Sequence, residues 1–143
     1  MRVTDIIRSK GDLVASVAPG DTIDRAVAKL AELGIGALIV LSDDGGLLGI
    51  LSERDIVRRL HTDGGSTLER GVGELMTAEV VTCDPHDTMA ELMELMTQRR
   101  IRHVPVVEDG RVCAVVSIGD VVKARLAELE DERRHLEDYI TRG

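Results

Sequence analysis

The chain has 143 residues, with 18 basic and 26 acidic side chains and a formal net charge of −8. A field of this sign repels the phosphate backbone of a nucleic acid. Tyr139 is the only aromatic residue, so the chain also has no aromatic platform on which single-stranded bases stack. The composition excludes a typical nucleic-acid binder and predicts a core built from aliphatic side chains.

The sequence contains no signal of export or membrane insertion. Its first residues lack the apolar run of a signal peptide, and no stretch approaches the roughly 18 apolar residues of a membrane span. Cys83 and Cys113 form no CxxC pair and lie among apolar residues, which favours core thiols over a disulfide. We therefore expect a cytoplasmic protein with no membrane partner.

The first part of the chain predicts the order strand, helix, strand, strand, helix. VASV is a short strand, and a turn then leads into a helix capped by Asp21 or Thr22, with apolar residues at helical spacing over 23–33. The segments ALIVL and LLGIL predict two strands joined by an Asp- and Gly-rich turn. A second helix is expected from Ser52 to Leu60.

The same order returns after a polar, Gly-rich segment, 61–71, which we interpret as a linker. The next helix carries a stripe of four apolar residues that indicates core packing: Met89, Leu92, Met93 and Met96. HVPVV and RVCAVV then predict two strands around the turn 108–110. Because proline has no N–H for a ladder, Pro105 suggests an edge or a bulge.

The two parts are copies of one unit. Asp21 and Thr22 return as Asp87 and Thr88, an offset of 66, and the lead-in 3–7 matches 72–76. The sequence therefore predicts an α/β (α+β) protein of two tandem units, the first over 1–60 and the second over 72–125.

The end of the chain, 126–143, has no counterpart in the first unit and predicts a helical extension. An apolar seam with the spacing 4, 3, 4, 3, 4 runs along it: Val122, Leu126, Leu129, Arg133, Leu136 and Ile140. The seam packs either against its own domain or against a second copy, and we favour the homodimer. Arg133 is an awkward residue for both interpretations.

Each unit contains a Ser-x-x-Asp motif where a strand ends and a helix begins: Ser52 with Asp55, and Ser117 with Asp120. One interpretation is an N-cap, in which Ser and Asp satisfy the first N–H groups of the helix. In the other, the helix N-terminus attracts an anion and the carboxylate accepts the hydroxyls of a ribose. The spacing alone does not decide between them.

The whole pattern resembles the cystathionine-β-synthase (CBS) domain pair, or Bateman module. The resemblance covers about residues 3–125 and is carried by IGALIVL, GILSERDIVRRL, MTQRRIRHVPVV and VSIGDVV. It implies two β-α-β-β-α repeats related by a pseudo-twofold axis, with the sheets packed together and the helices outside. It also implies a dimer of two such modules.

The resemblance further implies a regulatory module that binds an adenine nucleotide in the clefts between the repeats. The ligand would be AMP, ADP, ATP or NAD, with S-adenosylmethionine less favoured. Asp55 and Asp120 would hold ribose, and Ser52 and Ser117 would hold ribose or phosphate. Backbone of the ranges 10–16, 80–82, 35–37 and 102–105 would face the adenine. The remaining candidate binding residues are Lys10, Ser16, Ile35, Gly36, Ala37, Arg54, Val80, Val81, Thr82, Arg102, His103 and Pro105.

Arginines supply the charge that phosphates need. Arg102 and His103 match positions that the family uses for phosphate, and Arg54 lies at a helix N-terminus, where a cation is disfavoured unless an anion joins it. Arg99 and Arg100 are explained equally well as a solvated helix end.

The two clefts need not be equivalent. The family usually has Gly where the second repeat has Ala114, whereas the first repeat keeps Gly49. The first motif contains Arg54, and the second contains the neutral Ile118 and Gly119. Occupancy of both clefts is therefore in question.

An alternative function is a ligand-free dimerisation or interaction scaffold that keeps the motifs only as caps. An enzyme is disfavoured, because the chain has no nucleophile–base pair, no HExxH spacing and no Walker loop. We expect no catalytic residue, no metal and no catalytic cofactor. A protein target that reads the ligand state is an expected but unidentified partner.

Overall fold

The computed structural model describes residues 1–11 and 14–142. Six α-helices are present in this part of the chain: α1 (Val3–Lys10), α2 (Ile23–Leu33), α3 (Glu53–Asp63), α4 (Val72–Leu75), α5 (Met89–Arg99) and α6 (Ile118–Arg142). Five strands accompany them: β1 (Ser16–Val17), β2 (Ala37–Leu41), β3 (Leu47–Ser52), β4 (His103–Glu108) and β5 (Arg111–Ser117). The predicted fold class, a mixed α/β protein of two repeats, is confirmed.

Each repeat contributes one small sheet. In the first, β2 pairs with β1 in parallel and with β3 antiparallel; in the second, β4 pairs antiparallel with β5. Both hairpins carry an irregularity at the same place, after Val40 and after Val106. The repeat seen in the sequence thus extends to a detail of the strand register.

The first strand of each repeat is shorter than predicted. VASV is reduced to the two residues of β1, and its counterpart in the second repeat is a single bridge between Cys83 and Val106. In the first repeat the Ile39 N–H donates to the Ala15 carbonyl, 3.0 Å away. Residue 105, at the position equivalent to Ile39, is proline and has no N–H to donate. The missing donor explains the loss of the strand.

The lead-in segment of each repeat packs on the other repeat. Val72 and Leu75 of α4 are buried in the core of the first repeat, and Val3 and Ile6 of α1 are buried in the core of the second. Equivalent backbone hydrogen bonds fix both crossings: Val3 N–H to Asp87 O (2.9 Å), Val72 N–H to Asp21 O (2.8 Å), Thr4 N–H to Pro85 O (2.9 Å) and Gly73 N–H to Pro19 O (2.9 Å). Neither core is complete without the other repeat.

The segment 61–71, predicted as a linker, is folded. Its first residues complete α3, and Gly64–Glu69 forms a 3-10 helix. Thr67 is fully buried, and its hydroxyl donates to the Arg59 carbonyl at 3.3 Å. This segment is therefore part of the packed first repeat.

The predicted apolar stripe of α5 is buried at three of its four positions. Met89, Leu92 and Met96 are buried, but Met93 is 39% exposed beside α6. Cys83 is buried, and its burial raises the pKa of the thiol to about 12, so it stays protonated and unreactive at neutral pH. Cys113 is half-buried, and both cysteines are free.

Candidate nucleotide cleft

A cleft of about 610 Å³ lies between the two repeats. It is built from the start of α3, the residues that follow α4, and the turn between α5 and β4. Eight residues predicted from the sequence line it together: Gly36, Ser52, Arg54, Asp55, Val80, Val81, Arg102 and His103.

Ser52 and Asp55 form a capping box that uses only one carboxylate oxygen. The Ser52 hydroxyl accepts from the Asp55 N–H at 3.2 Å, while the Ser52 N–H and hydroxyl donate to Asp55 Oδ2 at 2.9 and 3.0 Å. Within the described part of the chain, nothing donates to Asp55 Oδ1. The capping and ligand interpretations are therefore compatible, because the cap leaves a carboxylate oxygen for a hydroxyl donor.

The equivalent carboxylate of the second repeat already has a cation. Asp120 Oδ2 accepts from the Ser117 N–H at 2.8 Å and lies 2.7 Å from Lys10 Nζ, which also donates to the Val115 carbonyl. Burial by itself raises the pKa of Asp120, but the bonds from Lys10 and Ser117 and the charge of Lys10 outweigh it. The pKa of Asp120 therefore lies below its ordinary value.

The difference between Gly49 and Ala114 helps to explain this asymmetry. In the first repeat, Ile50 and Thr77 exchange backbone hydrogen bonds of 3.0 and 2.9 Å. A Cβ on Gly49 would lie 2.7 Å from Met76 Sδ and 2.8 Å from Thr77 O, so this approach needs glycine. The second repeat has Ala114 at the equivalent position, and there the side chain of Lys10 reaches the strand instead.

The lining of the cleft is rich in arginine. Arg54 and Arg58 come from α3 and face the cleft with Arg99, Arg100 and Arg102 of the second repeat. Among the described residues, none of these five guanidinium groups is in an ion pair. Three carboxylates oppose them, so the lining carries a net charge of two positive in a chain of −8.

His103 lies at the start of β4, beside Gly36. A Cβ on Gly36 would be 3.1 Å from the His103 ring and 2.6 Å from Glu53 Oε1, so the two repeats approach closely here. Burial, and then the charge of Lys10, hold the pKa of His103 below its ordinary value. The imidazole is therefore neutral at pH 7 and can act as both donor and acceptor.

The other predicted residues do not line this cleft. Lys10, Ser117 and Asp120 are grouped at the equivalent position of the second repeat. Ala37 and Pro105 are buried within strands, and the Pro105 carbonyl accepts from the Cys83 N–H at 3.0 Å. Ser16 of β1 pairs with Ile39 of β2, and Ile35 packs against the core of the first repeat. Thr82 is exposed but does not line the cleft. Asp12 and Leu13, within the predicted range 10–16, lie outside the described residues.

Several lining residues were missed from the sequence, and Arg58 and Glu79 are the charged ones with a recognisable signal. Arg58 follows Arg54 by four residues, and this helical spacing puts both on one face of α3. Glu79 directly precedes the predicted Val80. Both signals were present in the sequence, although the acidic character of Glu79 gave no reason to place it near a phosphate.

Within residues 1–11 and 14–142, no group of three or more His, Cys, Asp or Glu side chains could hold a metal ion. The helices in the same ranges include none with the length and apolar character needed to cross a bilayer. The cytoplasmic location stays a prediction.

The CBS domain family model matches residues 3–62 and again residues 72–127. The chain belongs to the CBS domain family and contains a CBS domain pair. Such pairs are in general regulatory, non-catalytic modules.

Relatives and solved structures agree with this assignment. The chain is 36% identical to the mitochondrial CBS domain-containing protein CBSX3 of Arabidopsis thaliana, an alignment that covers 99% of this chain and 72% of the relative. A CBS-domain containing protein from Agrobacterium tumefaciens superposes with a TM-score of 0.85 at 44% identity, covering 87% of this chain and 99% of that one.

A third similar structure is a CBS domain pair crystallised with 5′-methylthioadenosine and S-adenosyl-L-methionine. It superposes with a TM-score of 0.78 at 25% identity and covers 87% of this chain and 98% of that chain. Structural neighbours of this chain thus include a pair that binds adenosine-based ligands.

The Lys10–Asp120 pair predicts a pH-dependent stability. Because the folded pKa of Asp120 is lowered, its contribution is present above the ordinary value of 3.8 and is lost as the pH falls through the folded pKa. Asp120→Asn should lower the free energy of unfolding by about 0.5–1 kcal/mol near pH 7, since the pair is partly exposed. Urea unfolding followed by circular dichroism measures this, and the difference should shrink below pH 3.8.

Lys10→Met is the matching variant. If the pair is responsible, the double variant loses little more than either single variant. Additive losses, or a difference that does not change with pH, would contradict the assignment.

Proposed function

We propose that the chain is a sensor that binds an adenine nucleotide in the cleft at Asp55. One observation carries the proposal: Asp55 offers a carboxylate oxygen at a helix N-terminus, facing arginines from both repeats across an open cleft. The adenosine ligands of the similar CBS domain pair support the same chemical class. AMP, ADP, ATP and NAD are the candidate ligands.

Each part of such a ligand has a suitable partner in the cleft. Ribose hydroxyls donate to Asp55 Oδ1, and these charge-assisted bonds contribute about 1.5–3 kcal/mol. The base lies among aliphatic side chains such as Val80 and Val81, where burial of about 100 Å² contributes about 2–3 kcal/mol. Phosphate meets Arg54, Arg102 and the N-terminus of α3. After association costs, a dissociation constant in the micromolar range is expected.

The second cleft is not equivalent in this proposal. Its ribose-binding candidate, Asp120, is already paired with Lys10 at 2.7 Å. A nucleotide there has to displace an internal cation before it gains the carboxylate. We therefore expect one nucleotide for each chain, with binding confined to the cleft at Asp55.

The readout proposed is a homodimer contact through α6. Seam residues Leu126, Leu136 and Ile140 are 62%, 63% and 75% exposed, so packing within the chain leaves them uncovered. Arg133 is held on its own helix, 2.6 Å from Glu130 and 4.0 Å from Glu137, which reduces the difficulty of a charge within the seam. The same exposed seam favours the alternative function, a ligand-free interaction scaffold. Neither function includes catalysis.

Asp55→Asn tests nucleotide binding. The amide keeps an acceptor for the cap but removes the charge that ribose hydroxyls need, so affinity should fall about 10- to 100-fold. Wild-type protein should show a rise in melting temperature with AMP, ADP, ATP or NAD through linkage, and the variant should lose most of it.

The matched control is Asp24→Asn, which changes an exposed carboxylate in the first turn of α2, away from the cleft. It should respond as the wild type does. If wild-type protein responds to none of the four nucleotides, the scaffold function replaces the sensor.

Leu136→Glu tests the dimer. A charge in the middle of the seam opposes helix pairing without touching the buried cores, so the variant should sediment as a folded 15.5 kDa monomer while wild-type protein sediments as a dimer. Asp131→Asn, on the same helix but outside the seam, is the control. A wild-type monomer, or a Leu136→Glu dimer, would contradict the proposed contact.

A further inference from the structure

We propose that the cleft takes a nucleoside di- or triphosphate in preference to a monophosphate, and that Arg100 and Arg58 bind the outer phosphates. This inference rests on the proposed nucleotide function and names its ligand class. It also excludes S-adenosylmethionine from this cleft, although the similar CBS domain pair was crystallised with that ligand.

The backbone of Arg100 is the first observation. Arg100 is the C-cap residue that follows α5, with φ 54° and ψ 43°, in the left-handed region that favours glycine. The equivalent residue at the end of α2 is Gly34, with φ 63° and ψ 38°. The same turn therefore exists in both repeats, and glycine adopts its backbone conformation with less strain than arginine does. Arginine occurs only in the copy that lines the cleft, which points to a use for its side chain.

Arg58 provides the second observation. It also lines the cleft but lies in the second turn of α3, beyond the N-terminal turn that holds Arg54. Arg54 and Arg102 are the predicted partners of the first phosphate. Arg58 of the first repeat and Arg100 of the second line the same cleft, so two further guanidinium groups are available to phosphates beyond the first. Each can bind phosphate oxygens through a planar fork.

The charge of the lining agrees with a polyphosphate. Five arginines face the cleft, and one of the three opposing carboxylates, Asp55, is assigned to ribose. A single phosphate assigned to Arg54 and Arg102 leaves Arg58, Arg99 and Arg100 without an anionic partner among the described residues. Six of the ten other arginines in the described chain, among them Arg25, Arg59 and Arg70, have a carboxylate within 4.0 Å, and four have none. A positively charged sulfonium would meet a net positive lining and gain nothing from it.

Isothermal titration of the full chain with adenosine, AMP, ADP, ATP, NAD and S-adenosylmethionine tests the inference. Wild-type protein should bind ADP or ATP at least about 10-fold more tightly than AMP, and S-adenosylmethionine more weakly than AMP. Arg100→Gly should remove most of the gain for ATP, by about 10-fold, while the affinity for AMP changes by less than about 3-fold.

Arg100→Gly should also raise the melting temperature of the ligand-free protein by about 2–4 °C, since glycine relieves the backbone. An Arg100→Gly variant that binds ATP more weakly but melts at a higher temperature shows that Arg100 contacts the ligand. A residue with a purely structural role would lower the melting temperature when it is replaced. Arg58→Gln should lose affinity for ATP without this gain. Arg111→Ala, an exposed arginine on the β4–β5 hairpin outside the cleft, should leave binding unchanged.

The outcomes distinguish the two proposals. If AMP binds as tightly as ATP, if NAD binds more tightly than both ADP and ATP, or if Arg100→Gly weakens AMP and ATP equally, the outer-phosphate subsite is wrong and nucleotide binding stands. If no adenosine compound binds, the proposed function itself fails.

Discussion

The exchange of lead-in segments between the repeats is the interaction on which the rest of the structure depends. Val72 and Leu75 complete the first core, and Val3 and Ile6 complete the second. The same exchange makes the cleft, because the chain that leaves α4 pairs with β3 through Thr77 and Ile50 and then runs along the opening. The cleft proposed as the ligand site is therefore a consequence of how the two cores are closed. A change in the cleft acts directly on the segments that join the repeats.

Small sequence differences between the two repeats make the two equivalent Ser-x-x-Asp positions unequal, although the repeats share one fold. Gly49 permits a backbone approach that Ala114 does not, and Glu79 is replaced by Lys10 at the equivalent lead-in position. One carboxylate therefore pairs with Lys10, whereas Asp55 faces an open cleft. Five arginines without an ion pair line this cleft from both repeats, so its lining is locally positive although the chain carries −8.

Local and repeated features were predictable from the sequence. The helix over 23–33, the strand ALIVL and both Ser-x-x-Asp caps follow from spacing and capping chemistry that act within a few residues. The crossing of the lead-ins was not predictable, since the same apolar face of α1 would fit either core. Nor was the bond between Lys10 and Asp120, because a side chain 110 residues away leaves no periodic signal. The shortened strand in the second repeat was within reach, since Pro105 removes a donor that its counterpart uses.

Native mass spectrometry with ADP is the measurement that tests the central claim most directly. It counts the nucleotides bound to each chain of the intact protein. The account predicts one nucleotide on each wild-type chain and none on the Asp55→Asn variant. Lys10→Met should then permit a second nucleotide in the other cleft, because Asp120 loses its internal cation. Two nucleotides of equal affinity on each wild-type chain, or a single nucleotide that survives Asp55→Asn, would contradict the account.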